Sequence, residues 1–238
     1  PVDLTNDIAR ERNFEIDMDG FDAAMQSQRT RARQANKFSH SDDLSIKAQT
    51  SSSFVGYECF EDNAEIKELF FEGKTTASLV KDQRGILITD NTPFYAESGG
   101  QVGDIGQIES KGGSFRVTNT QKQAKATIHH GFMEIGELKI SDNVVMKIDD
   151  ERRSNIAANH SATHLMHAAL RSVLGDQVTQ KGSLVDENRL RFDFSYNKSI
   201  TQEQIESIEN LVNIQILNAL EVETIVTSIE EAKKLGAM

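Results

Sequence analysis

The sequence predicts an α+β fold in three parts: a helical N-terminal segment with linker over 1–50, a small antiparallel glycine-rich β-barrel over 51–150, and an α+β core over 151–238. Three observations predict it. Residues 17–37 read as one thinly amphipathic helix. From 54 to 149, short apolar runs with partial alternation are separated by glycine and polar turns. After Asp150 the apolar period becomes helical again.

In the first part, Asp17 or Asp19 can cap a helix with acidic residues in its first turn and Arg and Lys in its last. Its apolar stripe, Phe21, Ala24, Met25 and Gln28, is too thin for a core, so the helix is expected to dock on a further domain. The polar run SHSDDLSIKAQTSSS (39–53) reads as a linker. The barrel strands are expected at FVGYECF, AEIKELFF, GILITD, GQIES, SFRVTNT, ATIHHGFMEI and NVVMKID. A helix, ERRSNIAANHSATHLMHAALRSVLG, follows and ends at Gly175. Strands KGSLV and RLRFDF flank the turn DEN. Thr201 and Gln204 then form a capping box ahead of a long helix, and ETIVTSI reads as one more strand.

Composition narrows the function classes. The 238 residues, 26% charged and 37% hydrophobic, suit one large or two small soluble domains. No apolar run approaches the ~20 residues that span a bilayer, and 1–12 has no secretory signal pattern, so no membrane association is expected. A single cysteine, Cys59, forms no internal disulfide and fits a cytoplasmic location. The start at Pro1 and the stop at KKLGAM suggest a piece of a longer chain. A net charge of −11 disfavours a module that holds nucleic acid by bulk attraction. A local basic cluster, Arg29, Arg31, Arg33 and Lys37, reads either as a solvated helix face or as a local basic contact surface.

Three stretches carry chemistry. NHSATHLMH places His160, His164 and His167 within about a 60° sector of one helix face, shared with Arg153 and Arg171. Ala158, Ala162, Leu165, Ala169 and Val173 lie opposite and are expected to face the core. Histidines at i and i+4 can bring two imidazoles onto one metal ion, although a zinc site wants three or four ligands. The competing reading is a pair of surface histidines. No H-E-x-x-H occurs to suggest a metalloprotease. In NTPFYAESGGQVGDIG, Gly99, Gly100, Gly103 and Gly106 permit close backbone approach and Gln101 offers a hydrogen-bonding amide; an ordinary barrel turn is the alternative. In VTQKGS, Gln180 and Lys181 could line the same cleft as the histidines or be plain loop residues.

Taken in order, PFYAESGGQVGDIG, NHSATHLMHAALRSVLGDQVTQKGSLV and RLRFDFSYN closely resemble the editing region of bacterial alanyl-tRNA synthetases. PVDLTNDIARERNFEIDMDGFDAAMQSQRTRAR resembles the end of the tRNA-recognition domain that precedes it. The resemblance covers nearly the whole chain. It implies a deacylase that removes serine and glycine from tRNA(Ala), within a larger ligase that joins alanine to tRNA using ATP and Mg. On this basis 151–238 is an editing core incomplete at its C-terminus. The family's first zinc-ligand pair maps onto His160 and His164; its later cysteine-histidine pair has no counterpart here, so zinc is expected to be held weakly or not at all by this chain. His167 falls outside the ligand set. Gln180 maps onto an editing-pocket position, Gly99, Gly100 and Gln101 onto the segment that approaches the aminoacyl end, and Thr163 is a further pocket contact unless its hydroxyl is bonded back to the i−4 carbonyl. The implied partners are the tRNA acceptor end and the rest of the synthetase. The alternative is a binding module for tRNA or a partner, without chemistry.

Overall fold

A computed structural model of the chain describes residues 9–12, 14, 16–40, 46–221, 225 and 227–236, the side chains of 29 and 31–40 excepted. Helix α1 (Met18–His40) starts where the Asp17 carboxylate accepts the Gly20 N–H at 2.8 Å. The side chains of the basic cluster at 29–37 lie outside the described residues.

Twelve strands follow: β1 (Ser53–Phe54), β2 (Glu61–Phe71), β3 (Lys74–Thr75), β4 (Ser78–Val80), β5 (Arg84–Thr89), β6 (Asn91–Thr92), β7 (Gly106–Glu109), β8 (Gly113–Gln123), β9 (Ala126–Lys139), β10 (Asn143–Ile148), β11 (Thr179–Val185) and β12 (Leu190–Ser195). Six of them close an antiparallel barrel in the order β10-β7-β8-β9-β5-β2, with β10 pairing back to β2. Side chains alternate across each pleat, so one set fills the interior: Ile66, Leu69, Leu87, Ile108, Phe115, Met133 and Met146 are all fully buried there. The other face of β2, β5 and β9 presents Phe70, Ile86, Ile88 and Ile128, which Ile46 and Ala48 cover from outside.

That covering corrects the linker expectation for 46–53. Gln123 holds this segment through the Ala48 N–H and the Ile46 carbonyl, at 3.1 and 2.9 Å, and Glu68 accepts from the Gln49 and Thr50 N–H groups. Residues 41–45 lie outside the described residues. FVGYECF is not a strand either: only Phe54 belongs to β1, which pairs in parallel with β6, and the chain then turns. Gly56 sits against Pro93, where a Cβ would come within 2.1 Å of its carbonyl oxygen, and the chain makes its turn there.

The last part packs α2 (Asp150–Leu174) and α3 (Gln202–Asn218) against the β11–β12 hairpin, burying Leu170, Leu174, Val178 and Ile208 among Phe192, Phe194 and Leu211. The Thr201–Gln204 capping box is present. ETIVTSI forms no strand where it is described: Ser228 caps α4 (Ile229–Lys234), and 222–224 and 226 lie outside the described residues. The buried face of α2 agrees with expectation toward its C-terminal end and differs at its start. Ala169 is buried and Val173 packs on the same cluster, as expected, whereas Arg153, Ile156 and Thr163 point inward and Ala158 is exposed, because an ion pair to the barrel draws the first turn of the helix toward it. No helix among the described residues is long and apolar enough to cross a membrane.

Candidate functional site

Helix α2 leaves the barrel directly. One residue beyond β10, Asp149 donates its N–H to the Ile105 carbonyl at 2.9 Å, and its carboxylate caps the helix by accepting from Arg152 N–H. On the first turn Arg153 is buried and bidentate to Asp104, with Nε 3.0 Å from Oδ1 and Nη2 on Oδ2. The guanidinium also donates to the carbonyls of Gly56 and Pro93, at 2.9 and 3.0 Å, and lies over the Tyr95 ring. Asp104 in turn accepts the Tyr95 N–H. Arg152 adds Gly103 O and Glu187, and Asn159 donates to Asp186 O. Each of the three nitrogens of this buried cation finds an oxygen, which is the condition for tolerating a charge there.

The glycine-rich loop is sewn to the hairpin as well as to the helix. Gly99 and Gly100 take φ of 61° and 85°, which lets Ser98 and Gln101 exchange backbone hydrogen bonds at 3.0 and 3.2 Å. Gly100 O then accepts from Val185 N–H at 2.8 Å, and Val102 N–H donates to Val185 O at 3.1 Å. A Cβ at Gly100 would lie 2.6 Å from the Ser183 carbonyl oxygen. Gly100→Ala is therefore expected to cost about 2 kcal/mol through left-handed strain and the clash together, read as a lower urea midpoint with unchanged m-value. An unaltered midpoint would mean that the loop is not held as described.

This seam delivers Gln101, 6% exposed, onto the histidine helix, with its Oε1 2.7 Å from His160 Nδ1. His164, one turn on, stacks on His160 with ring centroids 5.0 Å apart and planes 18° from parallel. Burial, and then the neighbouring His164, push the His160 pKa below the usual histidine value, so His160 favours neutral imidazole, the form that can offer a lone pair.

The other expected residues divide. Thr163 is buried on the same face, and its hydroxyl donates to Asn159 O at 2.9 Å, the i−4 back-bond that is the alternative to a pocket contact. Gln180 and Lys181 stand exposed beside a β-bulge early in β11, with Gln180 about 17 Å along the strand from Val185. No described contact joins Gln180 to the histidine pair. His167 turns to the hairpin, its ring centroid 5.0 Å from that of Phe192. Cys59 is apart from the site, bonded to Val55 O. Among the described residues no group of three or more His, Cys, Asp or Glu could hold a metal ion. Two imidazoles one turn apart are donors of the kind zinc takes, and are two of the three or four it needs; His160 Nδ1 is already engaged by Gln101, which leaves Nε2 as the nitrogen of that ring open to a ligand. Asp104 and Arg153, the bolt between barrel and helix, carry no motif that marks them as a pair in the sequence.

The family model described as tRNA synthetases class II (A) matches residues 1–152. That range takes in α1, the whole barrel and the glycine-rich loop, and ends at the first turn of α2. Since it spans well over half of the 238 residues, the chain belongs to the class II (A) tRNA synthetases, a family of aminoacyl-tRNA ligases whose macromolecular partner is tRNA.

Proposed function

We propose that the protein is the editing region of an alanyl-tRNA synthetase, which hydrolyses serine and glycine wrongly esterified to tRNA(Ala) in the cytoplasm. The observation that carries this reading is the convergence of the Gly99-Gly100-Gln101 loop on the His160–His164 pair, through the Val185 seam and the Gln101–His160 contact. Sequence resemblance in these same segments supplies the substrate class. Alanine ligation with ATP and Mg belongs, in this reading, to other parts of the synthetase.

A second site has a physical reason to exist. A pocket shaped for alanine discriminates against one hydroxyl or one methyl by only about 1–3 kcal/mol. A pocket that hydrogen-bonds the serine hydroxyl excludes alanine more strongly, because alanine leaves a buried polar group unpaired. The resemblance assigns that bond to Gln180; Thr163 could only accept, since its hydroxyl proton is held by Asn159 O. The aminoacyl ester is already reactive, so positioning of water and stabilisation of the oxyanion suffice. Backbone N–H groups of the glycine-rich loop can approach the aminoacyl end because Gly99 carries no side chain. His160 and His164 would hold zinc together with donors from outside these 238 residues, and bound zinc would supply a Lewis acid that orients the ester or polarises water.

The test is single-turnover hydrolysis of seryl- against alanyl-tRNA, by this chain and by the full synthetase, each with and without His160→Ala plus His164→Ala. Cleavage selective for seryl-tRNA and lost in the double variant is expected in the full synthetase. Undiminished cleavage and metal content in that variant would remove the ligand assignment. If no form cleaves seryl-tRNA, the binding-module reading replaces this one.

A further inference from the structure

We propose that Gln101 is a positioning residue that fixes His160 as its Nδ1–H tautomer and so leaves the lone pair of that ring on Nε2. The amide oxygen Oε1 lies 2.7 Å from Nδ1. An amide oxygen has no proton to give, so the shared proton belongs to Nδ1. A neutral imidazole protonated at Nδ1 keeps its only lone pair on Nε2. Without such a partner, a solvated neutral histidine favours the Nε2–H form, which has no lone pair at that atom.

The device depends on how tightly Gln101 is presented. Its own N–H and carbonyl are both bonded to Ser98, and the residues on either side of it are bonded to Val185. The side chain is buried, which excludes water as a substitute acceptor. The His164 ring stacked on His160 opposes rotation of that imidazole from the other side. The Gly100 conformation is what admits the loop to this depth, since a side chain there would meet Ser183. The barrel, from a residue 59 positions earlier in the chain, thereby sets the chemical state of a histidine on α2.

The functional consequence rests on the reading of His160 as a zinc ligand, and the tautomer itself does not. Both are accessible in one experiment. Histidine-labelled chain is studied by long-range proton–nitrogen correlation at about pH 8, above the ~6.5 of free imidazole, so that the rings are neutral. Wild type is compared with Gln101→Met, which keeps the side-chain length and loses the acceptor, and with Gln101→Glu, which keeps an acceptor; His160→Asn identifies the signal. The same substitutions are made in the full synthetase, which is freed of metal by a chelator and titrated with zinc alone.

Wild type and Gln101→Glu are expected to show His160 protonated at Nδ1, and Gln101→Met to shift it to Nε2–H while binding zinc roughly 10- to 100-fold more weakly. A wild-type His160 protonated at Nε2, or a tautomer indifferent to Gln101→Met in a folded variant, overturns the positioning role. If the tautomer follows Gln101 but the wild-type full synthetase takes up no zinc, the positioning role stands and the assignment of His160 and His164 as zinc ligands falls.

Discussion

Asp104→Ala is expected to lower the free energy of unfolding by about 3–5 kcal/mol, because it strands the Arg153 guanidinium in a site with almost no water. The two carbonyls from Gly56 and Pro93 remain as acceptors, but neither carries a full charge to offset the cation. Arg153→Met is expected to be similarly costly, since Asp104 keeps only the Tyr95 N–H among its present donors. The double variant Arg153→Met/Asp104→Leu should recover much of the loss, because a buried ion pair is stabilising chiefly against removal of one partner. Urea unfolding of the four proteins supplies the cycle. The Arg116–Glu134 pair on the barrel surface provides a comparison, and its removal should cost less than about 1 kcal/mol. If Asp104→Ala falls in that same small range, the pair is not the bolt between barrel and helix.

Acid should weaken the barrel through His129. This side chain is fully buried, with Nδ1 donating to Leu87 O at 2.9 Å and Nε2 accepting from Thr92 Oγ1 at 2.9 Å. Burial is the main cause that lowers its pKa from 6.5 to about 4. A depressed histidine pKa means that the unfolded chain takes up a proton before the folded one does. The contribution is therefore complete above pH 6.5, declines as pH falls, and amounts to a loss of about 3 kcal/mol by pH 4. Urea midpoints followed from pH 7.5 down to 4 should drop more steeply for wild type than for His129→Gln, whatever the variant's starting stability. Parallel slopes would mean that His129 titrates normally in the folded protein.

Much of the barrel was legible because each strand buries one face. Alternation in SFRVTNT and ATIHHGF marked β8 and β9, and the glycine and polar turns marked their ends. FVGYECF misled because its apolar residues resemble a strand, while the contact that bends it, Gly56 against Pro93, joins positions far apart in the chain. The histidine pair was readable from helical spacing, and Gln101 from its glycine-rich loop. That the two would meet was not, since periodicity describes a face and not its partner. The same limit explains α2. A hydropathy pattern puts Arg153 outside and Ala158 inside, and the structure reverses both because Asp104 neutralises the arginine within the barrel mouth. The short strands β3, β4 and β6 pair over two or three residues each, too few to leave a period.

Closure of the barrel by β10 orders events in time as well as in space. β10 is the last barrel strand in the chain and bridges β7 to β2, the first of the six, so the ring cannot be completed until residues 143–148 have been made. Asp149, which ends that strand by bonding to Ile105, is also the cap of α2. The act that shuts the ring is thus the one that launches the histidine helix from a fixed point. During synthesis, where chains fold from the N-terminal end, every strand of the ring is available before His160 has been made.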